Sequence, residues 1–325
     1  MPRTRSPRKS SLQYWPRKRA RDIVARVRGW AESKDAKILG FAGYKVGMTH
    51  IIVNDSRPNS ITKGMEISWP VTIVECPPLK IAGITFYKNQ GYGVQKATTI
   101  MAENLDKELS RTTPLPKKIN NKIDDIKFDD YVDIRVLAYT QPKLTSIGKK
   151  KPEIFELSIG GLLKDKLDYA KNNLGKEIKV EDIFKEGQQV DIHAVTKGKG
   201  YQGPVKRFGV AIRHHKSEKT KRGPGSLGPW HGRRMWRVSH AGQMGFHNRL
   251  MFNNWLLKID KDSSKVNPLG GFLRYGFVKN SYLLIKGSVP GPSKRIIKLT
   301  QPTRLNKKIP SQSPKITYIS TESKQ

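Results

Sequence analysis

The residues best suited to chemistry crowd into one stretch, 196–249, which reads TKGKGYQGPVKRFGVAIRHHKSEKTKRGPGSLGPWHGRRMWRVSHAGQMGFHNR. Gly198-Lys199-Gly200-Tyr201-Gln202-Gly203 has the glycine spacing of a dinucleotide fingerprint and follows an expected strand. That fingerprint also needs a helix opening at the glycines and an acid about 20 residues further on, where the ribose would sit. Here Pro204 is followed by VKRFGV, which reads as extended, and the one nearby acid is Glu218 inside a basic run. The dinucleotide reading is rejected on both counts. No glycine precedes a Gly-Lys-Ser/Thr at P-loop spacing.

Metal and acid–base chemistry fare no better. His214 and His215 are adjacent, and adjacent rings rarely reach one ion from the same side. His231 and His240 have no cysteine partner and no nearby carboxylate, and HExxH is absent. Asp124-Asp125 and Asp129-Asp130 sit in polar, lysine-containing sequence and read as solvated surface. No catalytic constellation, metal site or cofactor is expected.

What the stretch does carry is charge. Between Lys197 and His240 there are twelve Lys or Arg and one acid. Cations neutralise phosphates and release counterions. Glycines let a backbone turn sharply and approach a sugar-phosphate chain closely. Tyr201, Phe208, His214, His215, Trp230, His231 and Trp236 are rings that could stack on unpaired bases. Hydrophobic periodicity is lost after Ile212, and a long structureless loop inside a compact domain is usually functional.

The whole chain of 325 residues carries 62 Lys or Arg against 27 acids, a formal charge of +35. Self-repulsion of that size calls for a polyanionic partner. Membrane surface and nucleic acid both qualify. No apolar run approaches the roughly 20 residues of a spanning helix, and MPRTRSPRKSSLQYWPRKRA has no apolar stretch to serve as a secretory signal. Residue 2 is Pro and the C-terminus is SKQ, so lipidation is not expected. The single cysteine, Cys76, excludes a disulfide framework and points to a reducing compartment, the cytoplasm. No small-molecule substrate is expected.

The charge is segregated. Residues 100–190 hold 17 Lys or Arg and 16 acids, so this piece is nearly neutral and reads as solvent-facing. The first thirty residues hold ten Lys or Arg and one acid, Asp22. They read as an extended basic arm that folds on its partner. Tyr14, Trp15 and Trp30 would stack on bases or pack on a surface.

The elements that position these groups are short strands at 38–53, 67–75, 81–88, 131–139, 189–196, 282–289 and 295–300. Glycines at 40, 43 and 47 fall where a sheet must bend, which suggests a small barrel. One helix is expected at roughly 158–170 in this sequence, capped by Ser158. The fold class is mainly β with an α+β insertion. Residues 1–36 form the arm, 37–99 the first part of the barrel, and 100–186 the insertion. Residues 187–212 return to the barrel, 213–240 are the long basic loop, and 241–325 complete the barrel and its tail.

TKGKGYQGPVKRFG and GPWHGRRMWRVSHAGQMGFHNR closely resemble the signature of the universal large-subunit ribosomal protein L-three family, and GYKVGMTHIIV is a second match. SLQYWPRKRA resembles the archaeal and eukaryotic branch, and the archaeal type is expected. These blocks are long, specific and spread over most of the chain. The resemblance implies a translation-type β-barrel with a basic N-terminal arm and a long rRNA-penetrating loop that runs toward the peptidyl transferase centre. It implies a structural role in the cytoplasmic ribosome, joining early in assembly, without enzymatic activity. Partners would be large-subunit rRNA and neighbouring ribosomal proteins. Trp230 in GPWH would be the tip of the loop, and Arg213 to Arg222 its rRNA-gripping part.

The RNA-binding residues expected from charge and resemblance together are Arg17, Lys18 and Arg19 in the arm, then Lys197, Lys199, Lys206 and Arg207. The loop adds Arg213, His214, His215, Lys216, Lys219, Lys221, Arg222, Trp230, His231, Arg233, Arg234, Trp236 and Arg237. His247 and Arg249 complete the set. Two competing classes remain: a nucleotide-dependent RNA-modifying enzyme using the 198–203 glycines, and a chromatin-type DNA binder, which would lack any helix-turn-helix, zinc finger or basic zipper.

Overall fold

A computed structural model describes residues 15–57, 59–116, 131–217, 219–227 and 238–322. Tyr14, both paired-aspartate sites, and Trp230, His231, Arg233, Arg234, Trp236 and Arg237 lie outside the described residues. The chain divides into two units. One, the arm unit, comprises Met1–Asp22 and Val195–Asn248; the other, the sheet unit, comprises Ile23–Ala194 and Arg249–Gln325.

The chain is mainly β. In order it forms β1 (Gly40–Asn54), β2 (Glu66–Glu75), β3 (Leu79–Asn89), β4 (Val94–Met101), β5 (Asp133–Tyr139), β6 (Ile154–Ser158), α1 (Leu163–Asn173), β7 (Glu177–Ile178) and β8 (Gln189–Val195). Then come β9 (Tyr201–Gln202), α2 (Pro204–Phe208), β10 (Gly242–Gln243), β11 (Asn248–Asp260), β12 (Tyr282–Lys286), β13 (Ile296–Thr300) and β14 (Ile316–Ile319). The seven expected strands correspond to β1, β2, β3, β5, β8, β12 and β13. No helix among the described residues is long and apolar enough to cross a membrane.

Seven strands pair in the order β13-β8-β11-β12-β2-β1-β14, and β13 pairs with β1 as well. The pairs with a stated direction are antiparallel, for example Gly40 opposite Thr300 and Tyr44 opposite Glu75. The sequence of β1 explains its place. Its first seven residues are buried, and a Cβ at Gly43 would lie 2.7 Å from the Glu75 carbonyl oxygen and from Cys76 Sγ. Only glycine lets β1 and β2 approach so closely. A register shift between Lys45 and Gly47 then bends the strand.

A second sheet runs β4-β3-β5-β6, with β7 on β3. It joins strands from either side of residue 100, so the expected edge of the insertion falls inside β4. Apolar residues of both sheets share one buried cluster, from Phe41 and Tyr44 through Ile84 and Val136 to Leu256 and Leu284. Burying each such side chain contributes roughly 1.5–3 kcal/mol relative to exposure.

The helix differs from expectation. Ser158 ends β6 and is buried, and α1 starts at Leu163 with Leu162 as its cap residue. Gly160 and Gly161 separate the two, and Gly161 has φ +89°, which breaks any helix begun at Ser158. Seven strands among the described residues escape the pattern, and three of them, β7, β9 and β10, have only two residues each. β4 is an edge strand with its first four residues exposed, and it shows no apolar alternation. In β11 the alternation fails at Asn253, whose φ is +54°, and at a register shift between Leu256 and Lys258. β6 and β14 are too short to show a period.

A buried carboxylate anchors a polar network in the sheet unit. Glu75 is fully buried at the end of β2. Its Oε1 accepts from the Lys279 and Asn280 backbone N–H groups at 2.9 and 3.0 Å and from Asn280 Nδ2 at 2.8 Å, and its Oε2 accepts from the Tyr275 hydroxyl. Burial, and then the Glu75 charge, hold the Tyr275 hydroxyl far above the usual tyrosine range. Glu75 thereby pins the 275–280 loop to the sheet. Replacing it by Gln turns one acceptor into a donor where donors already converge. Glu75→Gln is expected to lower unfolding free energy by about 1–3 kcal/mol, read from urea titration of the purified chain; an unchanged midpoint would refute the role.

Candidate nucleic-acid interface

The arm unit has little apolar core, and a buried cation organises it. Pro204 stands at the first turn of α2 and Gly209 closes it, with φ +69° and its N–H on the Val205 carbonyl. Proline at the start and glycine just past the end are the usual brackets of a helix. The expectation that VKRF is extended is therefore corrected: residues 204–208 form one helical turn. The dinucleotide fingerprint is still unmet, because β9 pairs antiparallel with β10 and no βαβ crossover surrounds the glycines.

The turn buries Arg207 and Phe208. Arg207 Nε donates to the Gln243 carbonyl at 3.0 Å, Nη1 to that of His240 at 2.8 Å, and Nη2 to that of Arg17 at 3.3 Å. Arg17 Nη1 returns a bond to the Arg207 carbonyl at 2.7 Å, and its guanidinium lies 4.1 Å from the centre of the Phe208 ring. Trp15 packs on the same ring at 6.2 Å. A planar fork of donors suits three carbonyls at once. Burial draws the Arg207 guanidinium below the ordinary arginine range.

Several of the candidates face inward. The Arg207 guanidinium is taken up by backbone carbonyls, and Phe208 is buried. Arg17 packs on Phe208, and Trp15 packs on protein. Trp30 packs on the core of the sheet unit. His247 is buried as well: its Nδ1 lies 2.7 Å from the Lys18 carbonyl, which can only accept, so Nδ1 carries the proton. Its backbone N–H donates to Thr196 Oγ1 at 3.1 Å. Arg249 is half-buried in β11.

The other described candidates are exposed. Lys18, Arg19, Lys197, Lys199 and Lys206 face solvent, and so does Tyr201. Arg19 lies 5.3 Å from the Phe246 ring centre. Gly245, with φ +72°, lets the return strand pass under Lys197, whose carbonyl oxygen would sit 1.9 Å from an added Cβ.

The 213–222 segment is a small closed loop. Its base is a bond from Arg213 N–H to the Lys221 carbonyl at 3.1 Å, and Ser217 N–H bonds the His214 carbonyl at 2.9 Å. The His214 and His215 rings lie 4.0 Å apart. Arg213, Lys216, Lys219, Lys221 and Arg222 are all exposed. None has an acidic partner among the described residues. In the sheet unit, by contrast, Lys80 pairs with Asp106, Lys143 with Glu108, and both Arg135 and Lys166 with Asp133.

Sequence reading missed the buried role of Arg207. A signal existed in the Pro204–Gly209 bracket, which marks a helix and so an inward face; the carbonyls it meets carry no residue signature. Arg207→Lys is expected to speed amide hydrogen exchange across 201–209 and 240–244 and to cost about 1–3 kcal/mol. Lys206→Ala, one residue away but exposed, should leave exchange unchanged; equal effects would remove the distinction.

A family model described as ribosomal protein L3 matches residues 1–325. The chain is 51% identical over 336 residues to large ribosomal subunit protein uL3 of Methanosphaera stadtmanae, covering 100% of this chain and 99% of that one. It is 49% identical to the protein of the same name from Methanobrevibacter smithii, with the same coverage. With that of Archaeoglobus fulgidus it shares 46% over 326 residues, 98% of each chain. Full-length agreement at this level settles kinship, and the chain belongs to the ribosomal protein L3 family.

Proposed function

We propose that this chain is a structural constituent of the large ribosomal subunit, working in the cytoplasm, and that its arm unit binds large-subunit rRNA. The relatives bear the name large ribosomal subunit protein, and the same place is inferred here. The observation that carries the rRNA interface is the closed 213–222 loop with five exposed cations and no described acid beside them. Arg213, Lys216, Lys219, Lys221 and Arg222 screen phosphate repulsion so that RNA strands pack; Lys18, Arg19, Lys197, Lys199 and Lys206 extend the contact. His214 and His215, one on the other, offer a ring face to an unpaired base. No bond is made or broken by the protein.

The β13–β1 pairing supports reading the seven-stranded sheet as a barrel. The same reading gives residues 1–36 as the arm, 100–186 as the insertion and 213–240 as the penetrating loop. The resemblance assigns Trp230 to its tip, toward the peptidyl transferase centre, and His231, Arg233, Arg234, Trp236 and Arg237 to RNA contact. Early entry into the assembling subunit follows, since a segment threaded through RNA must be in place before the RNA closes.

Deletion of 213–237 is expected to abolish stable incorporation into large subunits; normal amounts of the truncated chain in purified, salt-washed subunits would refute it. Trp230→Ala is expected to leave incorporation intact and to impair tRNA binding or peptide transfer, and wild-type behaviour in both assays would sink the tip assignment. For the isolated chain, replacing the five loop cations by Ala should lower the log–log salt slope of rRNA binding by on the order of 3–4. Duplex DNA competing equally well at the same salt would favour the DNA-binding alternative.

A further inference from the structure

The sheet unit holds a pocket of about 280 Å³ lined by Arg57, Asn253, Trp255, Lys286 and Lys308, among others. Trp255 lines it, and Trp69 packs beside Trp255. Trp69 and Trp255 are both buried, with ring centres 5.6 Å apart. Lys286 Nζ stands 3.4 Å from the centre of the Trp69 ring and 5.5 Å from that of Trp255. The Arg57 guanidinium lies 5.3 Å from the same Trp69 ring.

The charges here do not balance. Arg57 is already held by Asp55, through Nε and Nη2 at 2.8 Å each, and Thr62 also bonds that carboxylate at 2.7 Å. Arg57 thus holds the Asp55 carboxyl well below the usual range, so the pair stays ionised at any working pH. Lys286 has no carboxylate partner among the described residues, and Lys308 is exposed with none either. Burial, and then the Arg57 charge, pull the Lys286 ammonium below the ordinary lysine range. A half-buried ammonium next to a second cation is costly unless an anion joins it. The indole faces offset part of that cost and fix where the ammonium points.

The geometry points to a phosphate-binding pocket formed by Arg57, Lys286 and Lys308, which takes a phosphodiester of the RNA backbone at a second contact, separate in sequence from the arm-unit interface. Both indoles are buried, so they position Lys286 and do not stack on bases. The ligand is an anion that accepts hydrogen bonds on several sides, as a phosphate does. This rests on the rRNA-binding reading above and adds a site to it.

Lysine acetylation footprinting of the full chain, with and without large-subunit rRNA at one fixed moderate salt, reads each lysine separately by mass spectrometry. Protection of Lys286 and Lys308 together with Lys216 and Lys219 is the expected result. Protection of Lys216 and Lys219 alone overturns the pocket and leaves the arm-unit interface standing. Protection at neither pair removes both. Poly-glutamate shielding Lys286 and Lys308 as well as rRNA does would make this a carboxylate site for a protein neighbour. Inorganic phosphate doing so at equal phosphate concentration would make it a free-anion site. Either result overturns the assignment to RNA. Lys308→Gln, at an exposed position that folding does not need, should weaken rRNA binding about 3- to 10-fold and lower the salt slope by about 1. Unchanged affinity and slope would count against the proposal.

Discussion

Like-charge repulsion is the constraint on which the rest of this structure depends. A formal charge of +35 on 325 residues must be dispersed, paired or neutralised from outside before the chain can stay compact. The two units meet it differently. The sheet unit contains most of the acids and spends them locally: Asp133 takes both Arg135 and Lys166, and Asp260 takes Lys258. Half-buried pairs of this sort contribute modest stability each. Their effect is to cancel the field, and a large apolar core does the rest.

The arm unit has no such recourse. Its organising charge, Arg207, is satisfied by backbone carbonyls. Carbonyl dipoles pay the desolvation of a guanidinium without adding a negative charge, so the unit is held together while its net positive charge is left intact. An Arg–Glu pair would hold the same segments and lower the net charge of the unit by one. Dipole satisfaction thus joins folding to function here: the unit is ordered by the bonds that keep it basic, and a polyanion is left to supply the neutralisation.

The Trp69–Lys286–Trp255 cluster follows the same logic on a smaller scale. An ammonium held by ring faces keeps its charge available. Arg57, tied to Asp55, shapes the wall beside it. Buried acids fix position at Glu75 and Asp55, whereas Lys286 is held by ring faces.

The sequence by itself determined the charge imbalance and its segregation, seven strands and the family. These are properties of composition, of local period and of long contiguous motifs, each legible without knowing which distant residues meet. It also placed the exposed cations 213–222, because a run with one acid and no apolar period has nowhere to be buried. Only the tertiary structure decided which cations face inward. Arg207 and Lys206 are neighbours of the same chemical type; what separates them is Arg17, 190 residues away, and the carbonyls of His240 and Gln243. β11 hid because its alternation breaks at Asn253, and the break makes sense only against Asp191, whose Oδ1 accepts the Asn253 N–H at 2.8 Å. The Lys286 pocket is assembled from residues near 57, 69, 255, 286 and 308. Burial and partnership are set by contacts distant in sequence, and a single sequence records the groups but not the distances between them.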